Sequence, residues 1–215
     1  MHLYSGPLSL FAAKARIALA EKGLDHELTQ VEWSLQHRYE PHHPEVARLN
    51  PKGEVPVLID GDVVVYDSTL ICEYLEERNP TPALFPTDRA ARARCRQQEA
   101  AADEVWFPHI WTLIEARVYP GGDPESAAAK AACSALAAYW TEFDQALGNA
   151  DYYCGDFSVA DIGSFIFTNA AASFGAQIPE PCERMRAWRD RVAARPAVAQ
   201  IINDLNTAAL AAISG

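Results

Sequence analysis

The sequence predicts a small mixed α/β domain over residues 1–78, a linker over 79–87 and an all-helical domain over 88–215. Three observations predict this division. Short strand-like runs alternate with helical runs as far as residue 78, a pattern read from hydrophobic periodicity. Three prolines within Pro80–Pro86 make a stiff connector, which is typical of a domain boundary. Beyond Asp88, long runs rich in alanine, leucine and arginine favour helices, and no strand is expected there.

The first domain is expected to be a parallel βαβ unit joined to an antiparallel hairpin. Ser9 is expected to open the first helix and Gly23 to end it, because glycine readily takes the left-handed conformation at a helix C-terminus. Asp60-Gly61 between two valine-rich runs is typical of a hairpin turn. In chain order the expected elements are a strand at 2–4, a helix at 9–22, a strand at 26–32, a short helix at 44–49, strands at 57–59 and 63–65, and a helix at 68–78. This βαβ-α-ββα order predicts one small mixed sheet with helices packed on it.

The second domain is expected to contain about five helices. Their expected ranges are 88–118, 124–147, 158–173, 181–194 and 197–212, with each boundary good to about 2–4 residues. Pro108 lies inside the first of these helices. It is expected to kink that helix, because proline has no N–H for the helical hydrogen bond.

The composition limits the classes of partner. The chain has 215 residues, of which 49% are hydrophobic and 22% charged, as is typical of a globular protein with a substantial core. Its net charge of −11 argues against nucleic acids and anionic membranes as partners, because both attract basic surfaces. A small anionic ligand remains compatible, since it senses only the local charge.

The cysteines and the N-terminus indicate a cytoplasmic protein. The five cysteines are an odd number and form no C-x-x-C pair: Cys72, Cys95, Cys133, Cys154 and Cys182. We therefore expect reduced thiols. The N-terminal stretch MHLYSGPLSL has no charged region followed by a long apolar run, so neither a signal peptide nor a membrane span is expected. The adjacent His42-His43 would make a poor chelate without further ligands, so no metal site is expected.

Pro56 lies where a buried strand is expected to begin. Proline has no N–H to give to a sheet and is therefore found at the first residue of a strand, at an edge or at a bulge. If the bond before Pro56 is cis, the N–H and C=O of Val55 point outward together, and an extended ligand can pair with them like an added strand. A simple local turn explains the same residues, and the sequence does not choose between the two.

Ser9 and Asp67-Ser68 stand at the expected starts of two helices. Ser9 and Ser68 are each explained by an N-cap, whose hydroxyl accepts a backbone N–H. A helix N-terminus also favours an anion. Ser9 can therefore donate to a bound thiolate and lower its pKa. Ser68 can hold a ligand carboxylate while Asp67 faces a ligand ammonium.

These segments resemble the cytosolic glutathione transferase family, in order and over nearly the whole chain. The matching segments are Leu3–Ser9, Lys14–Gly23, Asn50–Leu58, Asp67-Ser68 with Ile71 and Tyr74-Leu75, Phe157–Ile162, and Trp188 with Arg195–Val198. Each motif alone is weak, but their joint order is specific. The resemblance implies an α/β N-terminal thioredoxin-like domain followed by an all-α domain, usually in a homodimer.

The resemblance also implies a set of glutathione contacts. It implies that Pro56 is cis and that Val55 pairs with the cysteinyl backbone of glutathione. Asp67 and Ser68 would hold the γ-glutamyl end. Three further residues would lie near the glycyl carboxylate: Lys52, His37 and Arg38.

Ser9 matches the thiolate-stabilising serine of the serine-type, bacterial-like branches. Two residues depart from the usual first-helix pattern, namely Leu10 and Ala13. The chain has no cysteine at this helix start, which argues against a reductase-like role. Tyr4 is the alternative hydroxyl, by analogy with tyrosine-type branches, but Ser9 is preferred because the spacing after Pro7 fits the serine type.

The implied activity is conjugation of the glutathione thiolate to a small hydrophobic electrophile, with glutathione as co-substrate, in cytoplasmic detoxification. The second substrate is expected to contact Phe11, Trp106, His109 and Ile110, although core packing also explains such an aromatic stripe. Two alternatives stay open. One is a binding or regulatory protein of this fold without thiol chemistry, and the other is a glutathione-dependent isomerase or dehalogenase.

Overall fold

The computed structural model describes residues 1–40 and 42–214, with side chains as far as Ala212. These residues form two compact units. The first unit contains residues 1–84 together with the chain from Arg195 onward, and the second contains residues 85–194. The last helix is expected from the sequence to belong to the helical domain, whereas its contacts group it with the first unit.

The elements follow the order expected from the sequence. They are β1 (His2–Ser5), α1 (Leu10–Glu21), β2 (Glu27–Gln30), α2 (Pro44–Leu49), β3 (Val57–Asp60), β4 (Val63–Tyr66), α3 (Ser68–Arg78), α4 (Arg89–Ala101), α5 (Phe107–Val118), α6 (Ala127–Leu147), α7 (Val159–Ser173), α8 (Glu183–Ala193) and α9 (Pro196–Ser214). Within the described residues, only isolated β-bridges occur after α3. The α/β N-terminal thioredoxin-like domain followed by a helical domain is thereby confirmed.

The first unit is built on a four-stranded sheet with the order β2-β1-β3-β4. β1 pairs with β2 in parallel, and the other two pairs are antiparallel. Side chains alternate between the two faces of a strand. Tyr4 and Val57 lie on one face in a cluster with Val31 and Val46. Leu3, on the opposite face, is fully buried.

Helix α1 is the centre of the first unit's helical layer. It contacts α3 and α9, and all its residues from Ala12 to Leu19 are buried. Two ion pairs join it to the C-terminal helical segment. Arg16 pairs with Asp204, and Arg195 contacts both carboxylate oxygens of Glu21 at 2.8 and 2.6 Å.

A buried lysine fastens the end of α1 to the segment after α3. The Lys22 Nζ donates to a carboxylate oxygen of Glu76 at 2.7 Å and to the carbonyl oxygens of Asn79 and Pro82 at 2.7 and 2.9 Å. The same Glu76 oxygen accepts the Leu84 N–H at 2.9 Å. All three ammonium donors are thus used, as a buried charge requires.

The first helix of the second unit is irregular, but not at Pro108, where the sequence predicts a kink. α4 passes into α5 through a π-helical segment, Ala102–Trp106. Pro108 lies in the first turn of α5, where a missing N–H costs little. The irregularity therefore precedes the proline, in the wider turn that opens the backbone ladder.

Asp161 organises the start of α7. Its Oδ2 accepts the Ser158 N–H and the Ser158 hydroxyl, each at 3.0 Å, and the two residues form a capping box. Its Oδ1 accepts the Tyr153 N–H at 2.9 Å and the Trp188 indole N–H at 2.8 Å. Burial raises the pKa of the Asp161 carboxyl. This side chain thus joins α7, α8 and the loop before them.

We expect Asp161→Ala to lower the free energy of unfolding by about 3–5 kcal/mol, because three buried donors and one part-buried donor lose their acceptor at once. The exposed Asp156 supplies the matched control. Asp156→Ala should change that free energy by less than about 0.5 kcal/mol. Urea unfolding followed by tryptophan fluorescence measures both. An Asp161→Ala protein that unfolds at the same urea concentration as the control would contradict the role given to this carboxylate.

Candidate functional site

Three segments of the first unit meet at one edge of its sheet. The register pairs Tyr4 with Val57 and Val57 with Tyr66, so these residues form one row across β1, β3 and β4. The chain leaves this row after β1, enters it before β3 and leaves it again after β4. The candidate residues in these three segments are Ser9, Val55, Pro56, Asp67 and Ser68. Strand pairing therefore brings them to the same edge.

Ser9 caps α1, as the sequence predicts. Its Oγ accepts the Ala12 N–H at 3.1 Å, and its own N–H donates to the Gly6 carbonyl at 3.2 Å, closing a tight turn. Within residues 1–40 and 42–214, the Ser9 hydroxyl proton has no acceptor. This half-buried hydroxyl can therefore donate to an anion beside the positive end of the α1 dipole.

The Val55–Pro56 peptide bond is cis, as the resemblance implies. Val55 is half-buried and is separated from the first residue of β3 by Pro56 alone. Neither its N–H nor its C=O has a hydrogen-bond partner in the described part of the chain. One donor and one acceptor are thus left to pair with an extended ligand beside the first residue of β3.

Asn50, a residue with no role expected from the sequence, holds the loop before Val55. Asn50 is 2% exposed. Its amide donates to the Glu54 carbonyl at 2.7 Å and its Oδ1 accepts the Lys52 N–H at 3.0 Å. Lys52 is exposed on this loop. The signal was present in the sequence, because an asparagine followed by proline and glycine is typical of a side-chain-stabilised turn.

The start of α3 corrects one expectation. Asp67, not Ser68, is the N-cap: its Oδ1 accepts the Thr69 N–H at 2.9 Å. Asp67 has φ of 78°, a left-handed conformation that aspartate tolerates better than most residues. Ser68 is the first helical residue and is buried. Its hydroxyl therefore stands at the positive end of the α3 dipole, where a ligand anion is favoured.

The segment after β2 leaves the sheet at the same edge, because Tyr4 also pairs with Thr29. It forms a compact loop in which Ser34 and Arg38 exchange backbone hydrogen bonds at 2.9 and 2.7 Å. The His37 N–H donates to the Ser34 hydroxyl at 3.1 Å. His37 and Arg38 are exposed, so both side chains are accessible to an anionic group.

The other candidate residues lie in different surroundings. The Tyr4 side chain is buried, with its ring 4.5 Å from that of His2 and 5.2 Å from that of His43. Phe11 is half-buried on α1. In the second unit, Trp106 and Ile110 are core residues, exposed by 4% and 0%, and the Trp106 ring packs against Phe143 at 5.7 Å. His109 is half-buried, 5.9 Å from the Tyr139 ring.

His42 and His43 have separate surroundings. The His42 Nε2 lies 3.0 Å from a Glu40 oxygen, whereas His43 precedes α2. Within the described residues, no group of three or more histidine, cysteine or acidic side chains is placed to hold a metal ion. None of the described helices combines the length and the apolar character that crossing a membrane requires.

Two family models match this chain. The glutathione S-transferase N-terminal domain matches residues 8–78, and the glutathione S-transferase C-terminal domain matches residues 99–196. Among characterised relatives, a stringent starvation protein A homolog from Coxiella burnetii is 34% identical over 164 residues, which is 75% of this chain and 71% of that protein.

Solved structures agree with these matches. A glutathione S-transferase from Rhodospirillum rubrum F11 is 30% identical with a TM-score of 0.80, and the match covers 93% of this chain and 90% of that one. A theta class glutathione S-transferase from Xanthomonas axonopodis pv. citri, solved with glutathione bound, is 26% identical with a TM-score of 0.81, covering 93% and 95%. Both domains, their order and the fold show that this chain belongs to the glutathione S-transferase family.

Proposed function

We propose that this protein binds glutathione at the sheet edge that carries Ser9, Val55 and Asp67, and joins the glutathione sulfur to a carbon of a small hydrophobic electrophile. One observation carries the proposal. At this edge the unpaired backbone of Val55, just before β3, occurs together with the starts of two helices, α1 and α3. A peptide with an anionic sulfur and charged ends matches these three features in chemistry.

Each part of glutathione has a complementary group. The cysteinyl N–H and C=O would pair with Val55, and the γ-glutamyl carboxylate would accept from the Ser68 hydroxyl and the α3 N-terminus. The γ-glutamyl ammonium would face Asp67. Lys52 and the loop that bears His37 and Arg38 would attract the glycyl carboxylate. This assignment leaves the thiol for Ser9.

Ser9 would act by stabilising the thiolate. A thiol pKa lowered by about two units from about 8.5 leaves most of the sulfur ionised at pH 7, and corresponds to roughly 2.7 kcal/mol. One hydrogen bond to a charged sulfur plus a helix dipole is of this size. The thiolate then attacks an electrophilic carbon, a C–S bond forms, and a leaving group such as halide departs with the bonding electron pair.

The second substrate and the assembly are also part of the proposal. Phe11 of α1 is half-buried and can offer an aromatic ring to a hydrophobic electrophile. His109, in the second unit, is also half-buried and is proposed as a contact of the electrophile in its own right. Trp106 and Ile110, being buried, would act by shaping the residues around them. We propose a homodimer in the cytoplasm that serves detoxification. The five cysteines are all free thiols, which is typical of a reducing compartment.

A second candidate function is a binding or regulatory role without thiol chemistry. The similarity to a stringent starvation protein A homolog favours it, because that name refers to starvation and states no enzymatic reaction. A glutathione-dependent isomerase or dehalogenase would use the same site with a different electrophile. Thiol chemistry is preferred to a binding role because the Ser9 hydroxyl retains a proton to donate to a thiolate.

Two measurements separate these functions. The protein should be retained on immobilised glutathione, be eluted by free glutathione, and convert 1-chloro-2,4-dinitrobenzene to its thioether with release of chloride. Retention without turnover of this or other electrophiles would favour the binding role. A protein that does not bind glutathione by calorimetry at millimolar concentration would refute the proposed site.

Ser9→Ala should raise the pKa of the bound glutathione thiol by about one unit or more, because the charged sulfur loses its hydroxyl donor. Ultraviolet absorbance of the thiolate, titrated with pH, measures this. The matched control is Ser126, which caps α6 by accepting the Ala129 N–H at 3.2 Å. Both substitutions remove a helix cap worth about 1 kcal/mol, but only Ser9→Ala should raise the pKa of the bound glutathione thiol. Equal titration curves would leave Ser9 as a cap alone.

Asp67→Asn should weaken glutathione binding about tenfold or more, because the ammonium loses a charged partner. Asparagine keeps the capping oxygen and tolerates the left-handed backbone, so the fold should be preserved. Asp88→Asn is the control, since Asp88 caps α4 through the Ala91 N–H at 2.8 Å. Calorimetry should also show that a glutathione analogue without the α-amino group binds Asp67→Asn and the unaltered protein equally. If the analogue without the α-amino group binds Asp67→Asn more weakly than it binds the unaltered protein, the role given to Asp67 is wrong.

A further inference from the structure

A tyrosine from the loop after β2 rests on the turn that carries Ser9. The Leu8 N–H donates to the Tyr39 hydroxyl oxygen at 3.3 Å. The Tyr39 ring lies so close to Gly6 that a Cβ at position 6 would be 2.5 Å from the hydroxyl oxygen and 2.6 Å from a ring carbon. Real Cβ atoms do not approach other atoms this closely. The two residues therefore fit each other only because residue 6 has no side chain.

The need for glycine at position 6 comes from this contact and not from the backbone. Gly6 does not have the left-handed φ that Gly23, Gly53 and Gly61 have, so a left-handed backbone is not the reason for glycine there. Gly6 is also buried. Its carbonyl accepts the Ser9 N–H at 3.2 Å. Tyr39 therefore covers Gly6, the same residue whose carbonyl closes the turn before α1.

Tyr39 is itself firmly held. It packs against the cluster formed by Tyr4, Val31, Val46 and Val57. Its neighbour Arg38 closes the loop through paired backbone bonds with Ser34. One side chain therefore links the sheet face, the loop that bears His37, and the turn that bears Ser9.

We propose that Tyr39 is a positioning residue for the thiolate chemistry, acting through the Gly6–Ser9 turn. The inference rests on the proposed function, because it assigns to Tyr39 the placement of the hydroxyl that would stabilise the sulfur. Hydrogen bonds to a thiolate depend steeply on distance and angle. A turn that is free to move would spread Ser9 over several positions and weaken the stabilisation of the anion. Tyr39 also couples this hydroxyl to the loop proposed for the glycyl carboxylate.

Tyr39→Phe tests the hydroxyl, and Tyr74→Phe is its matched control. Tyr74 lies in the same unit and donates to Asp60 at 2.8 Å, at the other end of β3. We expect Tyr39→Phe to speed exchange of the Leu8 amide about fivefold or more and to raise the bound thiol pKa by about half a unit. Tyr39→Ala should raise it further, and Tyr74→Phe should change neither quantity. If both Tyr39 variants bind glutathione with the unaltered thiol pKa, this inference is wrong while the proposed function stands.

Gly6→Ala tests the close fit from the other side. Alone, it should lower the urea midpoint and raise the bound thiol pKa, because its Cβ displaces the Tyr39 ring. In a protein that already carries Tyr39→Ala, Gly6→Ala should change the urea midpoint and the thiol pKa much less, since the ring is gone. If Gly6→Ala changes both quantities equally with and without the Tyr39 ring, the contact between Tyr39 and Gly6 does not link the loop to the turn. If the unaltered protein binds no glutathione, the proposed function fails, and the role of Tyr39 in thiolate placement fails with it.

Discussion

The register of β1, β3 and β4 is the constraint on which the candidate site depends. Tyr4, Val57 and Tyr66 lie in one row, and each of the three binding segments begins or ends next to it. A slip of one residue would turn every side chain of a strand to the opposite face. Tyr4 and Val57 would then leave the cluster that buries them, so packing on this face stabilises the register. The backbone pairing thereby places two helix starts and an unpaired backbone side by side.

Buried polar groups hold the segments that the sheet does not reach. Lys22 and Glu76 fix the chain after α3 to the end of α1, and Asn50 fixes the loop before Val55. In the second unit Asp161 does the same for α7 and α8. A buried polar group costs free energy unless its partners are complete. Each of these side chains therefore satisfies its hydrogen bonds in one arrangement of its neighbours only. Loops without regular secondary structure are held in defined positions as a result.

Several features of the fold could be predicted because they depend on neighbouring residues. The helix at Pro44–Leu49 and the helix at Ser68–Arg78 were predicted with their observed bounds, since prolines, caps and periodicity are local signals. The π-helical segment before Pro108 was missed, because it has no local signature and arises from packing. The choice of Asp67 over Ser68 as the cap was also missed, since both residue types cap equally well and the φ of Asp67 decides.

The element order, the domain class and the candidate residues Ser9, Val55, Pro56, Asp67 and Ser68 follow from the amino-acid sequence, because turn chemistry and family motifs are carried by contiguous residues. The three-dimensional arrangement is needed to learn which of their hydrogen-bonding groups remain unpaired. It also reveals the roles of Asn50 and Tyr39. Asn50 binds the backbone of its own loop, and Tyr39 packs against Gly6, a glycine 33 residues earlier in the chain. Such roles depend on distances between segments that are remote in sequence, and a linear pattern does not contain those distances.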